Sequence, residues 1–138
     1  MIDKEKINLN SHSDIITARM AVREFARHCG LSPADQACIS MAASSLAYSL
    51  GLGRDDSRGG ELLIEQFSDH QRSGVRIHCI KNYKDDADHD VVNHLGSSRW
   101  LVDDIEMKLT ELHSVEVMMI KWNSSSVPAW QASPHKYI

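Results

Sequence analysis

Polar and apolar residues alternate from Glu5 to Asn10 (Glu-Lys-Ile-Asn-Leu-Asn), the period-two signature of a strand with one buried face, and Ser11-His12-Ser13 interrupts it. From Asp14 the period changes. Ile15, Ala18, Val22, Phe25, Ala26 and Cys29 recur at helical spacing, which predicts an amphipathic helix capped by Ser13 and stopped by Gly30. A second helix is announced by Ser32 as N-cap, Pro33 at the first helical position and Asp35 in the first turn. It runs to about Leu50, with Ile39, Ala42, Ala43, Leu46, Ala47 and Leu50 as its apolar stripe, and Gly51 to Gly60, with Asp55-Asp56-Ser57, is a turn or exposed loop.

Two short apolar and β-branched runs follow, Glu61 to Phe67 and Val75 to Ile80. The polar segment Ser68 to Gly74 separates them, which predicts an antiparallel hairpin. Asn82 to Asp90 is a polar, acidic break. Val91 to Leu95 reads as a helical turn, Ser97 or Ser98 as the cap of a helix through about Glu106, and Val115 to Trp122 as a closing strand. The order strand, two helices, hairpin, helix, strand predicts an α+β two-layer sandwich with helices on one face of a mixed, mostly antiparallel sheet. The expected domain is 1–122, followed by a tail, 123–138, that contains Pro128 and Pro134.

At 138 residues, 42% hydrophobic and 25% charged, the chain has material for one core. No apolar run approaches a membrane span, and Met-Ile-Asp-Lys-Glu-Lys lacks the apolar core of a signal peptide, so the expected location is cytoplasmic. Cys29, Cys38 and Cys79 are odd in number and widely spaced, the pattern of buried free thiols in a reducing compartment. A net charge of −4 with interspersed signs argues against a nucleic-acid partner and for proteins or small molecules.

Five fragments come in the order and rough spacing of a known family: Asp35-Gln36-Ala37-Cys38-Ile39, Leu62-Leu63-Ile64-Glu65-Gln66, Gly74-Val75-Arg76-Ile77, Leu101-Val102-Asp103-Asp104-Ile105 and Ile120-Lys121-Trp122. Together they resemble the RsbT-type switch-protein serine kinases. With the RsbW and SpoIIAB anti-sigma kinases, these form a small bacterial branch of the GHKL, or Bergerat-fold, histidine-kinase-like ATPases. The resemblance spans roughly residues 5 to 122. In that family the helix opening on Asp-Gln-Ala carries Glu-x-x-x-Asn, both side chains projecting from one face toward the nucleotide. The Glu serves as general base or water-orienting group and the Asn holds Mg²⁺ against the phosphates.

Counted without gaps, those positions are Ser45 and Ser49 here. A serine cannot act as the carboxylate base at neutral pH, and its hydroxyl is a poor replacement for an amide oxygen around magnesium. The family's adenine-binding Asp-x-Gly-x-Gly reads Lys81, Tyr83 and Asp85. Lys81 would set donor against the adenine amine, also a donor, and Tyr83 adds bulk. The glycine-rich lid is reduced to the short stretch 82–102, where Gly96 is the sole glycine. The resemblance therefore implies a degenerate, non-catalytic relative that uses neither ATP nor Mg²⁺. Such a protein acts by binding partners in a stress or sigma-factor switch: a STAS-domain antagonist, a sigma factor or a PP2C-type phosphatase. It also implies pairing of two copies through the exposed sheet face or the leading strand. Docking is expected to involve the second helix, the loop with Arg54 and Asp55, and Trp100, where the lid-proximal helix of the family begins.

Alternatives stand beside this reading. Ser45 and Ser49 are also what a helix needs as small residues at a packing contact. An active ATP-binding kinase would draw its groups from Glu65, Asp85 or Asp86. Asp85, Asp86, Asp88, His89, Asp90 and His94 form the densest set of metal-ligand types, which would suit a metal-dependent enzyme, although carboxylate runs in loops are ordinarily solvated surface. The 8 histidines are scattered, with no nucleophile in a recognisable turn beside them, so they define no hydrolase triad.

Overall fold

A computed structural model describes residues 4–52, 59–69, 72–82, 96–110 and 114–123. The elements are β1 (Lys4–Leu9), α1 (His12–His28), α2 (Pro33–Ser49), β2 (Gly60–Asp69), β3 (Arg72–Asn82), a 3₁₀ turn (Gly96–Trp100), β4 (Asp104–Thr110) and β5 (Ser114–Trp122). The strands form one open sheet in the order β1-β2-β3-β5-β4. Every pairing among the described strands is antiparallel, where the sequence pattern allowed a mixed sheet. The architecture is α+β, with α1 and α2 side by side on one sheet face.

Local chemistry explains where the helices begin and end. The cap of α1 is Ser11, two residues before the predicted Ser13, because a capping box forms there. Ser11 Oγ accepts from the Asp14 amide at 3.3 Å, and Asp14 Oδ2 accepts from the Asn10 and Ser11 amides at 2.8 and 3.1 Å. Ser32 caps α2 as its sequence predicts, accepting from the Asp35 amide at 3.2 Å ahead of Pro33. Both helices stop the same way. Gly30 (φ 86) and Gly51 (φ 76) take the left-handed conformation, and the next amides, Leu31 and Leu52, donate back to Ala26 and Ala47 at 3.1 and 3.0 Å.

The core lies between the layers. Leu62 and Ile64 of β2, Val75, Ile77 and Cys79 of β3, and Val115, Val117 and Met119 of β5 alternate onto the helix-facing side and are fully buried. Ile15, Ala18, Val22, Phe25 and Ala26 of α1 and the whole predicted stripe of α2 meet them. The hairpin is longer than its apolar runs, because ladder bonds need backbone and not side-chain hydrophobicity. Ser68 pairs with Ser73 and Asp69 with Arg72, whose guanidinium also reaches Asp69 Oδ2 at 3.2 Å.

The helix predicted from Ser97 or Ser98 to Glu106 is a correction. The segment makes one 3₁₀ turn and then becomes β4. Ile105, Met107 and Leu109 alternate with Glu106 and Lys108, and Ile105 and Met107 pack on the core opposite Met119 and Val117. That period-two signal outweighs the serine caps upstream. Two further expectations, a helical turn at 91–95 and the tail beyond Asn123, lie outside the described residues.

Truncation should separate core from surface. Ile77→Ala, at a fully buried position on β3, is expected to cost about 2–5 kcal/mol in urea unfolding. Ile16→Ala, on the half-exposed outer side of α1, should stay within about 0.5 kcal/mol of the parent.

Candidate functional site

From Gln36 to Gly53 the chain has no charged side chain, yet α2 is an outer-layer helix with one side turned to solvent. Its hydroxyls are used locally: Ser40 Oγ donates to the Ala37 carbonyl at 2.9 Å and Ser44 Oγ to that of Met41 at 3.1 Å. Ser45 and Ser49 are half-buried, one helical turn apart on the flank of α2 away from α1. Ser98, fully buried within the 3₁₀ turn, donates from its Oγ to Ser45 Oγ at 3.3 Å. The turn is thereby seated against the second half of α2 at Ser45.

Lys81 comes to the same end of the molecule. Leu52, just past α2, packs on Gly60, where an added Cβ would lie 3.0 Å from the Leu52 side chain, and Gly60 pairs with Lys81 in the β2–β3 ladder. Lys81 continues the helix-facing row Val75, Ile77, Cys79 and is 5% exposed. A buried lysine, whose ammonium offers only donors, thus closes this end of the helix-facing row. Beside it, burial pushes the Cys79 thiol up to about 12, and the nearby Lys81 charge only partly opposes that rise. Cys79 is a packing residue with no thiolate at neutral pH. Cys29 and Cys38 are also free thiols but only half-buried, against the expectation that all three are interior.

The structure therefore brings Ser45, Ser49 and Lys81 toward one end of the helix–sheet interface. Trp100 lies beyond Ser98 on the 3₁₀ turn, flanking the same helix, and is 89% exposed. Tyr83, Asp85, Arg54, Asp55 and the whole Asp85 to His94 segment lie outside the described residues. Among the described residues no cluster of three or more His, Cys, Asp or Glu has a metal-binding arrangement. Glu65, considered as a catalytic carboxylate, points to the opposite sheet face, where its Oε1 accepts from Arg76 Nε at 2.6 Å. The same strands that carry the core thus aim it away from α2.

Two features of this region escaped the sequence reading. One is Ser98 as the partner of Ser45, a contact across 53 positions that no local pattern announces. The other is the exposed apolar set Ile16, Met20, Met41 and Tyr48 on the outer sides of α1 and α2. The charge-free run from Gln36 to Gly53 was the signal for its α2 half, Met41 and Tyr48. No family model matches the chain, and no curated protein is significantly similar to it.

Thiol chemistry follows from the burial. A neutral-pH thiol reagent should label Cys29 and Cys38 in the folded protein, with Cys79 reacting only after denaturant. The unfolded Cys79 thiol ionises near 9.0 and the folded one near 12. Its contribution to stability is therefore intact below pH 9.0 and declines as the pH rises from there toward 12, which denaturant midpoints across that range would show.

Proposed function

We propose that this chain is a non-catalytic docking protein built on a histidine-kinase-like scaffold, a relative of the RsbT-type kinases whose nucleotide site has been given over to packing. The observation that carries the reading is the Ser98 to Ser45 contact, which fills the space above the α2 position corresponding to the catalytic carboxylate. The buried Lys81 supports it independently, because its ammonium opposes the adenine edge at the other landmark of the site. The antiparallel sheet with two helices on one face is compatible with such a scaffold. On this reading Ser45 and Ser49 supply neither the carboxylate nor the amide oxygen that Mg²⁺ and ATP would need, and Lys81 puts a buried cation in place of the family's adenine-binding carboxylate. On this reading function lies in binding a protein of a bacterial stress or sigma-factor switch.

Isothermal titration with ATP and Mg²⁺ tests it. The expected result is no saturable heat, corresponding to a dissociation constant weaker than about 1 mM, and a micromolar value overturns the proposal. The double variant Ser45→Glu, Ser49→Asn should also fail to bind ATP, since Lys81 and the seated turn remain. A glutamate facing the fully buried Ser98 should lower stability by about 1–3 kcal/mol, measurable by thermal melting.

A further inference from the structure

The exposed large hydrophobic residues are concentrated on the helix layer. Ile16, Met20, Met41, Tyr48 and Trp100 range from 46 to 89% exposed, with Leu109 on β4 the one other member among the described residues. They share a surface. His12, Ile16 and Met20 follow one another at four-residue steps along α1, and Met41 and Tyr48 are two turns apart on α2. The helices run antiparallel, with Tyr48 Oη 2.9 Å from His12 Nδ1. From that contact Met20 lies about 12 Å along α1 and Met41 about 10 Å along α2, so the two methionines are level across the helix pair. Trp100 closes the other flank of α2, carried by the turn that Ser98 anchors to Ser45.

Among the described residues, the charged side chains beside this surface that form no ion pair or helix cap are basic. Arg19 and Arg23 project from α1 beside Ile16 and Met20, and Arg99 adjoins Trp100. All three are exposed, and none forms an ion pair among the described residues. The carboxylates nearby are engaged within the fold: Asp14 in the α1 cap, Asp35 with Lys121 at 3.7 Å, and Glu24 with Arg27 and His28. The open sheet face differs, since it carries paired charges of both signs, Glu65–Arg76 and Lys6–Glu61 at 3.1 Å. A basic rim around an uncharged apolar strip, on a chain of net charge −4, is a local arrangement selective for a negatively charged occupant.

We propose that the outer face of the helix layer, centred on Met20, Met41 and Tyr48 and rimmed by Arg19, Arg23 and Arg99, docks an acidic amphipathic helix of a partner protein. Apolar anchors at successive turns of that helix lie along the α1–α2 groove, and its flanking carboxylates meet the arginines. This rests on the reading of the chain as a docking protein and adds where it docks and what chemistry it recognises. Helix α2 explains the choice of a helix over a flat partner. The small residues Ala37 and Ser44, on the same side of α2 as Met41 and Tyr48, leave room between those larger side chains for a side-chain ridge.

The test uses the full chain labelled with ¹⁵N and three probes. The first is a synthetic amphipathic helical peptide with leucines on one stripe and glutamates on both flanks. The second is the same peptide with lysines replacing the glutamates, and the third is vesicles of phosphatidylglycerol and phosphatidylcholine. Saturable binding of the glutamate peptide is expected, with amide shifts concentrated at Ile16, Met20, Met41 and Tyr48 and a shift of the Trp100 indole. Binding should weaken at least about tenfold in the double variant Arg19→Glu, Arg23→Glu, whose melting temperature confirms its fold. The proposal is overturned by no binding, by equal or tighter binding of the lysine peptide, or by shifts clustered at Met118 and Ile120 on the open sheet face. Preferential binding to the anionic vesicles overturns it as well. ATP titrated into the same sample reports separately: nucleotide binding with peptide docking intact removes the non-catalytic reading and leaves the docking face. Absent ATP heat with a peptide that does not bind removes the docking face alone.

Discussion

The seating of α2 along the sheet is the contact on which the other parts of this molecule depend. Its inner side presents Ile39, Ala42, Ala43, Leu46 and Ala47, all buried, to the central strands β3 and β5. The alanines let the helix axis approach the sheet closely, and the larger side chains interlock with Ile77, Val117 and Met119. Both ends are pinned. At the start Lys121 Nζ reaches Asp35 at 3.7 Å and Asp103 at 3.4 Å; at the end Leu52 lies on Gly60, where an added Cβ would be only 2.8 Å from the Ile80 carbonyl oxygen. With the axis and both ends determined, the register of every residue along α2 is determined too, and so is which of its side chains faces the 3₁₀ turn and which faces outward.

A helix packed on a sheet ordinarily keeps its solvent side charged, and α1 does so with Arg19, Arg23, Glu24 and Arg27. Helix α2 does not. Burial accounts for its inner residues but gives no reason for Met41 and Tyr48 on its outer side to be apolar or for the absence of any lysine or glutamate there. Surface charge is carried instead by α1 and by the open sheet face, where Glu65 and Arg76 pair on the side that also bears Leu63, Met118 and Ile120. The uncharged side of α2 is thus a local departure in an otherwise well-charged chain, and such departures are where binding surfaces are found.

Most of the framework was legible in the sequence because it is written in short-range chemistry. Ser32-Pro33 with Asp35 marks the start of α2, Gly30 marks the end of α1, and the alternation from Val75 to Cys79 and from Val115 to Met119 marks the central strands. What was misread turned on competition between two local signals. Ser13 competed with Ser11 for the cap of α1, and Ser11 won because Asp14 stands three residues after it. Serine caps near 97 competed with the alternation of Ile105, Met107 and Leu109, and the alternation won because Met119 and Val117 of β5 lie opposite. The site was less legible for a physical reason. Lys81 is a lysine in an otherwise apolar row, and only the sheet register shows that this row faces inward. Ser98 meets Ser45 through the tertiary fold alone.

The contact between Ser98 and Ser45 carries weight under either account of Ser45, as a former base position or as a small residue at a packing point. A carboxylate at that position and a buried hydroxyl seated directly on it compete for the same space, since the hydroxyl oxygens are already 3.3 Å apart. A glutamate there would require the 96–100 segment to sit elsewhere. A carboxylate at position 45 and the present seat of the turn therefore exclude one another. The turn also supports Trp100, so the contact that seats it on α2 is the one that brings an exposed indole to the edge of the helix's uncharged face.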